Sequence, residues 1–389
     1  MKNLIILALI CLTACTKAVD KPASAILSDD RKQSCDFGIT NFNLSKRSPV
    51  NNEIEAKGRP IKSSGTTSSA PPSNSSVIFL DFDGHLVSNT SWNYSGDINC
   101  ASSNLTTTQM TEILLRMTND FSPFNIIITT DQATYNAANV YKRMRVVFTE
   151  SWEWYGKAGG VSYTGSFTWG DNTPCFVFSS LLNYDTKSIS EAASHEAGHT
   201  LGLRHQASYD ANGVKTSDYN YGQGSGEIGW APIMGVGYGQ NLTIWHNGPT
   251  PYGTTSLQDD VAVITGVVGL KGDDYSNTNS GASPLVSSMD GMINNNTDVD
   301  FFSIDINTSK QIALTPFNVG GANNPGADVD LLLNVYNAQG SLIKSLDDAS
   351  ILNVSTILNA GKYYLAVTTT PNQFASKYGM LGKYTVSVL

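Results

Sequence analysis

Apolar positions along this chain fall into blocks of different period. Lys2 precedes a short apolar run, 3–12, too short to span a bilayer as a mature helix. From 16 to about 76 no period survives, and 62–76 is almost entirely Ser, Thr, Gly, Asn and Pro, a composition that cannot bury a core. Order returns at Val77. The run Val77-Ile78-Phe79-Leu80-Asp81-Phe82 predicts a buried strand. Met110, Ile113, Leu114, Met117 and Phe121 recur at helical spacing and predict a helix over 107–121. Strand-like runs follow at 125–130, 145–149, 161–167 and 175–179. A second helix is predicted over 188–203, with Ile189, Ala192, Ala193 and Ala197 on its apolar side. Residues 204–253 are rich in Gly, Asn and Tyr and read as irregular loop. A closing helix is expected over 254–268, where Ser256 and Asp259 have capping-box spacing. Past a polar linker at 271–280 only strands are evident: 300–306, 312–315, 330–336, 362–368 and 383–389.

These blocks predict two domains and an N-terminal extension. Residues 1–14 read as an export signal and 15–76 as a flexible tether or short prosegment. Residues 77–270 read as an α+β domain with a twisted mixed sheet and long helices, and 271–389 as an all-β sandwich. The second domain holds no His and no Cys, so no chemistry is assigned to it, and it is expected to be separable.

Charge narrows the partners. The 389 residues carry 24 Lys and Arg against 33 Asp and Glu, a net charge of −9. No basic stripe is present to meet phosphates, which excludes a nucleic-acid binder. Leu12-Thr13-Ala14-Cys15 closes the apolar run and resembles a bacterial lipobox. The resemblance implies a lipoprotein whose mature N-terminus is diacylglyceryl-Cys15. Thr16 follows rather than Asp, which resembles lipoproteins sent to an outer membrane. The expected location is an outer membrane or cell surface, or the medium after release. Cys35, Cys100 and Cys175 remain after processing. In an oxidising compartment an odd number suggests one disulfide and one spare thiol. Cys100 and Cys175 lie inside the folded unit and are the first choice for the bridge; Cys35 is then the spare.

The segment with most chemistry is His195-Glu196-x-x-His199-x-x-Gly202-x-x-His205, which uses three of the five histidines. Residues four apart on a helix differ by about 40° in azimuth, so His195 and His199 project to one side. His205 would point elsewhere if the helix continued. Gly202 accepts the left-handed conformation that ends a helix and lets the chain turn back. Three neutral imidazoles with one open position make the catalytic arrangement of zinc. Glu196 faces the same cleft and suits general acid–base work on a water. A closed structural zinc would need a fourth protein ligand and has no use for Glu196 or Gly202.

This motif resembles the extended zinc signature of the metzincin metalloproteases, and the resemblance covers about 77–270. It implies a zinc endopeptidase acting on protein or peptide substrates. It places 161–167 as the edge strand that pairs with an extended substrate. It makes Met234, in Trp230-Ala231-Pro232-Ile233-Met234-Gly235, the Met-turn beneath the metal. Some metzincins carry a tyrosine two residues after that Met; Val236 stands there, and Tyr238, two further on, receives no assigned role. His85 and His246 read as ordinary polar residues. A prosegment Cys keeps some metzincins latent, which makes Cys35 a candidate for that task, although its neighbours match no switch motif. Calcium is a candidate ligand at Asp81-Phe82-Asp83-Gly84-His85 and Gln258-Asp259-Asp260, where capping is the simpler use of the carboxylates.

Residues 271–389 resemble the bacterial pre-peptidase C-terminal domain. The resemblance rests on Asn296-Thr297-Asp298-Val299-Asp300-Phe301-Phe302-Ser303, Asp328-Val329-Asp330-Leu331-Leu332-Leu333 and Ala360-Gly361-Lys362-Tyr363-Tyr364-Leu365-Ala366-Val367. It implies a sandwich accompanying secreted proteases, acting as a spacer or binding matrix or surface proteins. Two alternatives stand beside the protease: an inactive adhesin on a protease fold, and a zinc hydrolase of a non-peptide bond. The intact Glu196 disfavours the adhesin.

Overall fold

The computed structural model describes residues 34–37 and 75–389. The export segment 1–14, Cys15 and most of 15–76 fall outside these residues. In chain order the first part contains β1 (Ser34–Phe37), β2 (Ser76–Asp81), the hairpin β3 (His85–Val87) and β4 (Ile98–Cys100), α1 (Thr107–Asp120), β5 (Ile126–Thr129), α2 (Gln132–Ala137), β6 (Arg143–Thr149), β7 (Gly160–Tyr163), β8 (Cys175–Phe178) and α3 (Thr186–Thr200). Six strands form one sheet of order β1-β7-β8-β6-β2-β5. β5, β2, β6 and β8 run parallel, while β7 is antiparallel to β8 and β1 antiparallel to β7.

Strand pleating divides the side chains between two faces. Ile78, Leu80, Val146, Phe148, Cys175 and Val177 pack with Ile113 and Met117 of α1 and Ile189, Ala193 and Ala197 of α3. Val147, Phe176 and Phe178 point the other way, onto Trp92, Ile98 and Cys100. This overturns the expected disulfide. Cys100 and Cys175 are both free and buried, and they sit on opposite faces of the sheet, so no bridge can join them without moving the backbone. Burial pushes the Cys100 thiol up to about 12, with the Asp81 carboxylate adding to the rise.

Local chemistry sets the helix boundaries. Thr106 caps α1 in a reciprocal capping box with Gln109. Asp185 caps α3 through the Ser188 amide, 2.9 Å away. The region 204–253, expected to be irregular, holds short ladders: β9 (Ser208–Tyr209), β10 (Lys215–Ser217), β11 (Trp230–Pro232), β12 (Leu242–Ile244) and β13 (Asn247–Thr250). The expected helix over 254–268 is split. β14 (Gly253–Asp259) pairs with β13, and only α4 (Asp260–Val268) is helical. Asp259 is its N-cap, accepting from Ala262 N at 2.8 Å. Ser256 therefore lies in the strand and is no cap; an available partner strand outweighs a local capping pattern. Among the described residues no helix is long and apolar enough to cross a membrane.

The C-terminal part contains β15 (Ser283–Pro284), β16 (Ser288–Ile293), β17 (Asp300–Ile306), β18 (Lys310–Pro316), β19 (Leu331–Asn337), β20 (Leu342–Leu346), β21 (Val354–Leu358), β22 (Gly361–Thr369) and β23 (Gly382–Val388). They form sheets β15-β17-β22-β19-β20 and β16-β23-β18-β21. Leu333, Val335 and Val367 of the first meet Ile312, Leu314 and Val386 of the second in one core. The five strands read from sequence are present; β15, β16, β20 and β21 are additional.

The expectation that 271–389 stands apart meets a tight seam. Ile228, Trp230, Leu242 and Ile244 share an apolar cluster with Ala327, Leu352, Ala375 and Met380. At the end of α1, Asn119 Nδ2 donates to Gly326 O at 3.0 Å and Asp328 Oδ2 at 2.7 Å, and Asn119 Oδ1 accepts from Lys383 N at 3.1 Å. Burial, with Asp120 and Glu191 close by, pushes the Asp328 carboxyl well up. Asn119→Ala removes three hydrogen bonds, two of them buried, and should cost ~2–4 kcal/mol in denaturant unfolding. Stability unchanged by this substitution would show that the seam contributes little.

Candidate metal centre

Helix α3 is buried along nearly its whole length, from Ser188 to Thr200. It ends in a Schellman turn: Gly202 N bonds His199 O at 2.9 Å and Leu203 N bonds Gly198 O at 3.1 Å. Gly202 has φ +104°, a conformation costly for any residue with a Cβ. A Cβ there would find only Val263 Cγ1, at 3.7 Å, so the demand for glycine is conformational. The reversal brings His205 back beside the helix. The ring centroids of His195, His199 and His205 are 4.7 to 5.2 Å apart, and one ligand atom from each lies within 4.8 Å of the others.

The two helical imidazoles are oriented from behind. His195 Nδ1 lies 2.8 Å from Ile233 O, and His199 Nδ1 lies 2.7 Å from Leu203 O. A carbonyl only accepts, so each Nδ1 carries the proton and each Nε2 offers a lone pair to the shared space. His199 Nε2 and His205 Nε2 are buried without a hydrogen-bond partner. Burial lowers the basicity of all three rings, that of His199 to about 4; the other imidazoles add to the drop at His195 and His205. Three neutral imidazoles converging in a buried site fit a divalent transition metal. Among the described residues no fourth His, Cys, Asp or Glu joins this group.

Glu196, next to His195 in the chain, is fully buried and accepts a hydrogen bond from Ser162 Oγ of β7 at 2.5 Å. Met234 lies beneath α3: a Cβ on Gly198 would be 2.6 Å from Met234 Sδ. The Met234 segment also supplies the Ile233 carbonyl that holds His195. Tyr238 is buried in the core, as is Val236.

Four residues at the site escaped the sequence reading. Tyr219 places its ring 4.3 Å from that of His205 and 6.3 Å from that of His195. Gly198, Gly160 and Ser162 shape the space around Met234 and Glu196. Only Gly198 carried a signal, since glycine inside a helix costs about 1 kcal/mol and calls for a packing reason.

Of the carboxylates first considered for calcium, Asp81, Asp259 and Asp260 are otherwise engaged. Asp81 pairs with Arg145. Asp260 accepts from Gln206 Nε2 and Gln258 Nε2, each at 2.9 Å, and from His246 N at 3.0 Å. His85 lies 3.6 Å from Asp81, away from the imidazole trio. Asp273, Asp274 and Asp300 do converge, with ligand atoms within 4.8 Å. Asp300 is buried; its Oδ2 accepts from Tyr384 at 2.5 Å and its Oδ1 has no hydrogen-bond partner.

No family model matches the chain, and no curated protein does. Among solved structures, the pre-peptidase C-terminal domain of a Bacillus anthracis collagenase matches at 15% identity, covering 31% of this chain and 98% of that one, with a TM-score of 0.20. PliG of Aeromonas hydrophila, a periplasmic inhibitor of g-type lysozyme, matches at 12% identity, covering 28% and 96%, with a TM-score of 0.19. At such scores neither bears on what this chain does.

Proposed function

We propose that the protein is an exported zinc-dependent endopeptidase of metzincin type, anchored to a membrane through lipidated Cys15. The observation that carries this reading is the convergence of His195, His199 and His205, one ligand atom of each within 4.8 Å of the others, with the buried Glu196 next to His195 in the chain. The donor set fits zinc, with the three histidines as ligands. Zinc held there would supply a Lewis acid able to polarise a carbonyl oxygen and to lower the pKa of a bound water toward about 7. Glu196 accepts the proton from the attacking water and passes it to the leaving amine. The carbonyls of Ile233 and Leu203 keep two imidazoles in the ligating tautomer.

Support for an extended substrate comes from the edge of the sheet. Residues 34–37 pair antiparallel with β7, Cys35 opposite Ser162. The edge therefore accepts an extended strand by main-chain bonding. It also favours reading 15–76 as a prosegment, since residues 34–37 must leave before a substrate can pair in their place. The Cys35 side chain falls outside the described part of the structure. Residues 271–389 serve as a brace or as a docking module for matrix or surface proteins. An inactive adhesin is the competing reading.

Glu196→Ala should retain one zinc per chain and lose at least about 100-fold in peptide turnover. A variant cleaving at the wild-type rate would remove Glu196 from the mechanism. A zinc-loaded wild type that cleaves no peptide would favour the adhesin.

The trio Asp273, Asp274 and Asp300 suits calcium, a cation that takes carboxylate oxygens. Burial raises the Asp300 carboxyl to about 8, helped by Asp298, Asp274 and Asp273 and opposed by the Tyr384 hydroxyl. Its pKa in the folded, ion-free protein exceeds the unfolded value, so its contribution to stability is present at low pH and is lost as pH rises through about 8. Calcium needs the ionised form and should offset that loss. Added calcium should raise the melting temperature at about pH 8.5 and do little at about pH 5.5. No calcium effect at the higher pH would exclude this site.

A further inference from the structure

Strand β7 presents Gly160 and Ser162 to α3, while Val161 and Tyr163 face the opposite side, where Trp92 packs 4.0 Å from the Tyr163 ring. Both residues on the α3 side meet Glu196. A Cβ on Gly160 would lie 2.7 Å from Glu196 Cγ and 2.9 Å from its Oε1, so the carboxylate arm lies against bare backbone. Two residues on, the Ser162 hydroxyl, fully buried, donates to Glu196 Oε2.

We infer that Ser162 is the positioning residue for Glu196, fixing one carboxylate oxygen, Oε2, so that the other is held in a single orientation against Gly160. The inference rests on reading Glu196 as the general base. Glutamate ends in a broad, weakly restrained torsion. A base that must meet a water at one position gains from having that torsion held in advance. Gly160 removes the steric obstacle on one side of the arm, and Ser162 supplies the directional contact. The same strand pairs residues 34–37 through its backbone, so one short segment both offers an edge to an extended chain and sets the orientation of the base.

Three Ser162 variants separate hydroxyl from shape. Ser162→Thr and Ser162→Val have nearly the same volume and differ in the hydroxyl. In the zinc-loaded protein, Ser162→Ala should lower kcat on a peptide substrate by about 10- to 100-fold, with KM within about twofold and zinc content unchanged. Ser162→Thr should turn over at least about tenfold faster than Ser162→Val. Equal rates for Thr and Val, or a wild-type kcat for Ala, would overturn the inference. A rise in KM at unchanged kcat would also overturn it, since that marks a substrate contact. A second readout needs no activity. In metal-stripped protein, melting temperatures are compared for Ser162→Ala, Glu196→Gln and the double variant. Non-additive shifts are expected; additive shifts would mean the two side chains are not coupled. If the wild-type protein cleaves no peptide, the protease reading fails, while the melting cycle still decides whether Ser162 holds Glu196.

Discussion

The site depends on where helix α3 stops. One turn further and His205 would point away from His195 and His199; one turn earlier and His199 would leave the helix. The stop is written in backbone geometry, through the positive φ of Gly202 and the two bonds that close the turn onto Gly198 and His199. The turn also places the Leu203 carbonyl against His199 Nδ1. A single reversal thus delivers the third imidazole and orients the second.

Around that turn the packing is tight. Gly198 sits where Met234, Leu203 and Trp245 approach together, and Trp245 Nε1 reaches across to Asp120 O at 2.7 Å. Asp120 in turn accepts from Ser194, next to His195, and Asn119 is bonded into the C-terminal sheets. The sandwich is therefore continuous with the packing behind the imidazoles. Burial and the Glu191 carboxylate raise the Asp120 carboxyl to about 7. The Ser194 hydroxyl, Arg116 and Lys187 oppose that rise.

Much of this was legible from spacing alone. The helices at α1 and α3 follow from apolar period, and the imidazole trio from four-residue spacing plus a glycine. The Met234 turn came from resemblance and lies beneath the helix. What was not legible depends on tertiary partners. β14 looked helical until β13 supplied a ladder. β16 is interrupted by Gly291, where the Tyr384 ring lies across the backbone, and β20 exposes Leu342 and Ile343, so neither shows a clean alternation. The disulfide failed because chain position says nothing about which face of a sheet a sulfur occupies. Ser162 gave no signal, since its partner lies 34 residues away on another element.

The central claim is a three-imidazole site left open on one side. Zinc-edge X-ray absorption on the purified, zinc-loaded chain tests it most directly. The account predicts three imidazole nitrogens at about 2.0–2.1 Å and one further oxygen from solvent. Two imidazoles, or four protein ligands closing the site, would contradict it.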